Sequence, residues 1–145
     1  MEPVIRNAGP NDSTAIANLS RQLGYEANEI QIKNRLEALL ANNGNCVFVA
    51  VENDAVIGWI HAFYSLQVES DFFVEIGGLV IDEKHRRKGI GQLLIDKINP
   101  WAISKGCTKI RVRCNTKRKE SHLFYHGIGF TETKEQKIFD KQITL

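Results

Sequence analysis

The stretch from Phe72 to Ala102, FFVEIGGLVIDEKHRRKGIGQLLIDKINPWA, constrains the chain more than any other. Phe72 to Ile81 is an apolar run that predicts a strand, and Asp82 to Lys88 is a charged turn. From Gly89 onward Ile90, Leu93, Leu94, Ile98 and Trp101 recur at helical intervals, although Pro100 should kink the helix or end it early. A helix entered through Gly89-Ile90-Gly91 presents unpaired backbone N–H groups and the positive end of its dipole, here beside Arg86, Arg87 and Lys88. Such a corner suits a multiply charged anion, most simply a phosphate or pyrophosphate, lying where glycine leaves no Cβ in its way.

Two commoner phosphate loops are excluded by spelling. No Gly-Lys-Ser or Gly-Lys-Thr occurs in the chain, which rules out a Walker loop, and Leu94 stands where a dinucleotide fingerprint needs its third glycine. Gly77-Gly78 inside the apolar strand packs nothing and predicts a bulge, or a close approach by another extended molecule to the main chain.

The remaining elements are organised around this corner. Pro3 to Asn7 predicts a short strand, followed by a helix carrying Ile16, Leu19 and Leu23 and a second placing Ile30, Leu36, Leu39 and Leu40 on one side. Cys46 to Val51 and Val56 to Tyr64 are β-branched runs joined by Asn53-Asp54, so with Phe72 to Ile81 they predict an antiparallel meander. After the Gly89 helix, Lys109 to Cys114 alternates apolar residues with Lys109, Arg111 and Arg113, so one face is wet or turned to ligand phosphates. Strand, helix and strand of this length imply a right-handed parallel crossover. A short helix from about Arg118 to His126 follows, and Phe130 to Lys134 with Lys137 to Thr144 read as a closing hairpin.

At 145 residues the chain predicts one domain, residues 1–145, able to bury a core without metal or disulfides. A net charge of +2 does not suit a protein that coats a polyanion. The local clusters Lys84 to Lys88 and Arg111 to Lys119 favour a small anionic ligand over nucleic acid. Three cysteines without C-x-x-C spacing indicate neither a disulfide framework nor zinc, and His122 and His126 lack a third ligand, so no metal is expected. Met1 to Ser20 has no long apolar run and no stretch approaches a membrane span, which predicts a cytoplasmic protein without membrane association.

These residues carry a resemblance. Arg86-Arg87-Lys88-Gly89-Ile90-Gly91 is similar to the R/Q-x-x-G-x-G/A signature of the GNAT superfamily of N-acetyltransferases, placed as in that family between a strand and the helix after it. Glu75 lies eleven residues before Arg86, Asn115 closes the following strand, and Phe124-Tyr125-His126-Gly127-Ile128-Gly129-Phe130 looks like the family's L-Y-x-x-x-G-F run. The opening and the closing G-F-x-E-T run resemble the aminoglycoside 6′-acetyltransferase-like branch. The resemblance implies an α+β (mixed α/β) fold with a mostly antiparallel central sheet of about six to seven strands, one parallel crossover and four helices. The implied order is strand, two helices, three strands, helix, strand, helix, two strands.

It also implies acetyl-CoA as co-substrate and a primary amine, on a small molecule or peptide, as acceptor. The pyrophosphate would take the main chain from Arg87 to Gly91, with Arg86, Arg87 and Lys88 supplementing it. The pantetheine arm would pair with Leu79, Val80 and Ile81 as if it were another strand, and Asn115 would hydrogen-bond it. An amine must lose its ammonium proton before it attacks, and Glu75, between Val74 and Ile76, is the candidate base. Tyr125 is the candidate acid for the departing thiolate. Tyr25, Trp59 or His61 could line the acceptor pocket, and a homodimer is expected from the closing strands. Two other readings are a basic nucleic-acid module, whose binding would weaken steeply with salt, and an acyl-CoA sensor without turnover.

Overall fold

Local chemistry fixes the start of the chain. Arg6 on β1 (Val4–Asn7) donates two hydrogen bonds of 2.9 Å to the carboxylate of Asp12, which also accepts the Gly9 N–H at 2.8 Å. That carboxylate closes a single helical turn at Pro10–Asp12 and leads into α1 (Ser13–Gln22). The Asn28 side chain accepts the N–H groups of Ile30 and Gln31 and so starts α2 (Glu29–Leu40). The computed structural model describes residues 2–144 and shows two compact units, one up to Arg113 and one from Cys114.

The first unit is a five-stranded sheet in the order β1, β2 (Asn45–Glu52), β3 (Ala55–Ser65), β4 (Phe73–Ile81) and β5 (Ile110–Val112). All pairs are antiparallel except β4 with β5, which is parallel, with Glu75 opposite Arg111. The parallel pair is joined by α3 (Ile90–Ser104), as the crossover argument requires. The sheet alternates cleanly: Trp59, with Val47 and Val49, packs under Ile16 of α1 and Ile32, Leu36 and Leu39 of α2, whereas Gly58 on the other face approaches Leu94 of α3.

Three details differ from the sequence reading. On α2 the packed stripe is Ile32, Leu36 and Leu39, while Ile30 is 71% exposed. Positions 32, 36 and 39 follow the i, i+4, i+7 rule and Ile30 falls off it. The helix of Pro100 does not stop there but runs to Ser104, because Ile98 and Ala102 on either side are buried and outweigh one lost hydrogen bond. Among the described residues no strand follows β5, so the sheet has five strands rather than six or seven. The predicted closing segments leave Ile138, Phe139 and Ile143 at 83%, 87% and 84% exposure and form no strand among the described residues.

The second unit holds α4 (Lys119–Gly127). Tyr125 packs edge-on to Phe124 and Phe130 at ring distances of 5.0 and 5.3 Å, and the Phe130 N–H returns to the Tyr125 carbonyl. No helix among the described residues is long and apolar enough to cross a membrane.

Candidate active site

β4 carries the predicted bulge. Register with β3 runs from Ser65–Phe73 to Ala62–Ile76, then resumes at His61–Gly78, which leaves Gly77 as the extra residue. A Cβ on Gly77 would lie 2.7 Å from His61 Nδ1, and one on Gly78 would lie 2.6 Å from the Trp59 ring. Both glycines therefore leave room for β3 side chains that lie across β4. The buried Trp59 Nε1 finds no hydrogen-bond partner among the described residues.

Past the bulge β4 has an open edge. Its pairing with β5 ends at Ile76–Val112, while β4 continues to Ile81, so Leu79, Val80 and Ile81 have a strand on the β3 side only. An extended molecule with amide groups can add to such an edge as a further strand.

That edge leads directly into the anion corner. Arg86 to Gly89 are exposed, with Arg87 at φ 64° and Gly89 at φ 79°, both left-handed. Gly89 is the N-cap of α3 and supplies no side-chain cap, so the N–H groups of Ile90, Gly91 and Gln92 in the first turn keep their capacity for an external acceptor. Nothing lies within 4 Å of the place a Gly89 Cβ would occupy. The Arg86 side chain reaches back to the Ile81 carbonyl at 3.3 Å. Gln22 at the end of α1 holds the loop from behind, donating to Asp82 at 2.8 Å and accepting the Glu83 N–H at 3.0 Å. His85 Nδ1 donates to the other Asp82 oxygen at 2.6 Å. The Gln22 amide, followed by the His85 contact, holds the Asp82 carboxyl below its usual range.

Glu75 lies on the β4 face that Trp59, His61 and Phe63 share, directly opposite Phe63. Its side chain is 12% exposed, and Arg113 donates Nε–H to both carboxylate oxygens at 3.0 and 3.1 Å. The positive face predicted for Lys109, Arg111 and Arg113 is partly wet, with Lys109 and Arg113 exposed, and Lys109 and Arg111 also lie over the buried Phe73 ring at 4.8 and 4.5 Å. Strand alternation showed the face, but parallel register decides what it meets. On the same face a cavity of about 470 Å³ is lined by Arg35, Ala38, Leu39, Asn42, Asn45 and His61.

The first unit therefore brings together Glu75, Leu79, Val80, Ile81, Arg86, Arg87, Lys88, Gly89, Ile90 and Gly91 along one strand, loop and helix start. Asn115 and Tyr125 belong to the second. There Asn115 Oδ1 accepts the Lys117 N–H at 2.9 Å, and its carbonyl accepts from Arg118 and from His122 Nε2, the last at 3.0 Å. Asn115 so shapes the turn into α4. Burial pushes the Tyr125 phenol above its ordinary range, with Cys114 adding to the shift, so the phenol keeps its proton at neutral pH.

Residues 14–130 match the family model described as acetyltransferase (GNAT) family. An uncharacterized N-acetyltransferase of Chlorobaculum tepidum is 31% identical over 140 residues, covering 96% of this chain and 81% of the relative. Among solved structures, an aminoglycoside 6′-N-acetyltransferase from Acinetobacter haemolyticus in its apo form superposes with a TM-score of 0.86, at 22% identity, over 97% of this chain and 99% of that one. Another, in complex with the bisubstrate analog CoA-S-monomethyl-acetylneamine, gives 0.87 at 20% identity over 99% and 100%. At these identities the two structures speak to the fold.

Proposed function

The chain belongs to the acetyltransferase (GNAT) family, and from that premise we propose that it moves the acetyl group of acetyl-CoA onto a primary amine of a small molecule or peptide. One observation carries the reading: an unpaired β4 edge, Leu79 to Ile81, runs straight into an uncapped helix start flanked by Arg86, Arg87 and Lys88. An edge that accepts amides, followed by a corner that accepts a diphosphate, has the order of groups along pantetheine and its pyrophosphate. The open space over Gly89 and the left-handed Arg87 fit the same ligand.

In this reading acetyl-CoA supplies an activated acyl carbon, and the chain's own residues do the rest. The Glu75 carboxylate, held by Arg113, draws in the acceptor's ammonium and begins its deprotonation, directly or through water. Tyr125 supplies a proton to the departing thiolate, and Asn115 steadies the pantetheine arm. The acceptor is a small-molecule or peptide amine, the former a class that includes the aminoglycosides named for the solved relatives. Ile138, Phe139 and Ile143 support a homodimer in which these exposed side chains meet a second copy.

The test is thermal unfolding with acetyl-CoA at low and high salt, followed by thiol release with a panel of amines. Stabilisation that survives high salt and thiol release with at least one amine support the transferase. A protein indifferent to acetyl-CoA refutes it. Glu75→Gln should lower turnover most near neutrality and less at high pH, where more of the amine is already neutral. An equal loss at every pH removes Glu75 from the deprotonation.

A further inference from the structure

We propose that His61 is the second proton acceptor of the site: the proton drawn from the acceptor amine beside Glu75 is taken by the bare Nδ1 of this imidazole. The inference rests on the transferase reading and assigns a role on its acceptor side. His61 and Glu75 share one face of the sheet, since Phe63 stands opposite Glu75 and His61 is the next residue of β3 on that side. The imidazole lies over the bulge, where a Gly77 Cβ would be 2.7 Å from Nδ1 and 3.3 Å from Phe63 Cε1. Gly77 is two residues from Glu75 on that face, so the ring lies over the strand position next to Glu75.

The tautomer follows from the partner. His61 Nε2 is 2.9 Å from Asn45 Oδ1, an oxygen that only accepts, so Nε2 carries the hydrogen and Nδ1 presents a lone pair. Burial pushes the imidazole below its ordinary value, which keeps it neutral and able to accept at neutral pH. The charged groups toward the ring are Arg35 from α2, across the cavity, and Glu75 from β4 with Arg113 on it. Burial opposes a lasting imidazolium, so the captured proton is released to water. Glu75 suits attraction of a cation better than storage of its proton, because one guanidinium N–H already bridges both its oxygens. The cavity lined by Arg35, Asn42, Asn45 and His61 gives the acceptor a place beside the ring.

The step balances. The ammonium N–H bond breaks as the His61 Nδ1–H bond forms, leaving a neutral amine and an imidazolium. The amine lone pair then forms the C–N bond, the C–S bond breaks with its electron pair going to sulfur, the now cationic nitrogen gives its second proton to solvent, and the thiolate takes a proton from Tyr125, which solvent restores. The imidazolium returns its own proton to solvent, and the products are amide and thiol.

The experiment is the pH profile of kcat/KM for acetyl transfer, with acetyl-CoA affinity measured in parallel. Wild type should lose rate on the acid side as His61 protonates. His61→Gln should lose about 100-fold in kcat, and that limb with it, at unchanged acetyl-CoA affinity. Glu75→Gln should lower the rate, most near neutrality, and still show an acid limb set by His61. Asn45→Asp sets a carboxylate against Nε2 and should move the limb to higher pH, a shift no packing defect produces. Nitrogen-15 NMR of the histidines should find His61 as the Nε2–H tautomer. Because the Asn45→Asp shift and the NMR tautomer do not require His61→Gln to fold, the proposal stays falsifiable. An unmoved limb in Asn45→Asp, a His61 that carries its proton on Nδ1, or a His61→Gln enzyme within threefold of wild type overturns it. Wild type that binds acetyl-CoA but acetylates no amine overturns the transferase reading, and this proposal with it.

Discussion

Gly89 and Gly106 form a matched pair that separates ligand binding from backbone strain. Both have left-handed backbones, at φ 79° and 77°, and a Cβ on either would meet nothing within 4 Å. They lie at opposite ends of α3, so an alanine at each carries the same conformational cost of about 1–2 kcal/mol and no steric clash. At about 3 °C per kcal/mol, Gly89→Ala and Gly106→Ala should each lower Tm by roughly 3–6 °C in the absence of ligand. Acetyl-CoA at about 100 times its Kd stabilises the native state by about 2.7 kcal/mol, and a tenfold weaker complex retains about 1.4 kcal/mol of this. If the diphosphate lies against the main chain at Gly89, ligand should raise Tm in Gly106→Ala as in wild type. In Gly89→Ala the rise should be about half as large or less. Thermal melts of three proteins with and without acetyl-CoA suffice. Equal ligand shifts in the two variants would refute the placement of the anion at this corner, whatever the stability costs prove to be.

Tyr125→Phe keeps the edge-on ring contacts to Phe124 and Phe130, so acetyl-CoA affinity should be unchanged while kcat falls about 100-fold. Equal losses in both would assign Tyr125 to packing. Asp12→Ala leaves the Gly9 N–H and the half-exposed Arg6 without their shared acceptor and should cost about 1–3 kcal/mol at pH 7. The Arg6 hydrogen bonds depress the Asp12 carboxyl, so its contribution is present above the unfolded value near roughly pH 4 and lost as pH falls through the folded one. Urea melts should show the gap between Asp12→Ala and wild type narrowing as pH falls below roughly 4, and a constant gap rejects the ion pair as its source. Gly78→Ala forces the Trp59 ring to move from 2.6 Å and should cost about 1–3 kcal/mol with a change in tryptophan emission. Unchanged emission and stability would mean the ring does not lie over Gly78 in solution.

The strand, turn and helix from Phe73 to Ser104 were legible because local signals agree there: an apolar run, a cationic turn, a glycine N-cap and an amphipathic stripe. The bulge was legible as well, since two glycines in a strand have few other uses. What eluded sequence reasoning depends on register between distant segments. Arg113 meets Glu75 only because β5 pairs in parallel with Val74 opposite Ile110, and no local pattern fixes that alignment. Gln22 reaches Asp82 across sixty positions of chain for the same reason. The closing segments misled because Phe130 to Lys134 and Lys137 to Thr144 read locally as strands, yet a strand needs a partner edge as well as a local signal.

On the proposed reading, the bulge also lets one strand serve two ligands. In a regular strand successive side chains leave by opposite faces, so a donor along the edge and an acceptor over the face would each contend with Cβ atoms at the point where they meet. At Gly77 and Gly78 both positions that a Cβ would fill are taken up by His61, Phe63 and Trp59 from β3. The face at this point is therefore made by side chains of β3 while the edge remains main chain of β4. A thioester brought along Leu79 to Ile81 arrives beside those rings with no β4 side chain in between. The glycine pair thus sets how close the proposed donor edge lies to the imidazole of His61. Any residue larger than glycine at 77 must displace the ring whose Nδ1 lies 2.7 Å from its Cβ, and with it the group proposed to take the proton.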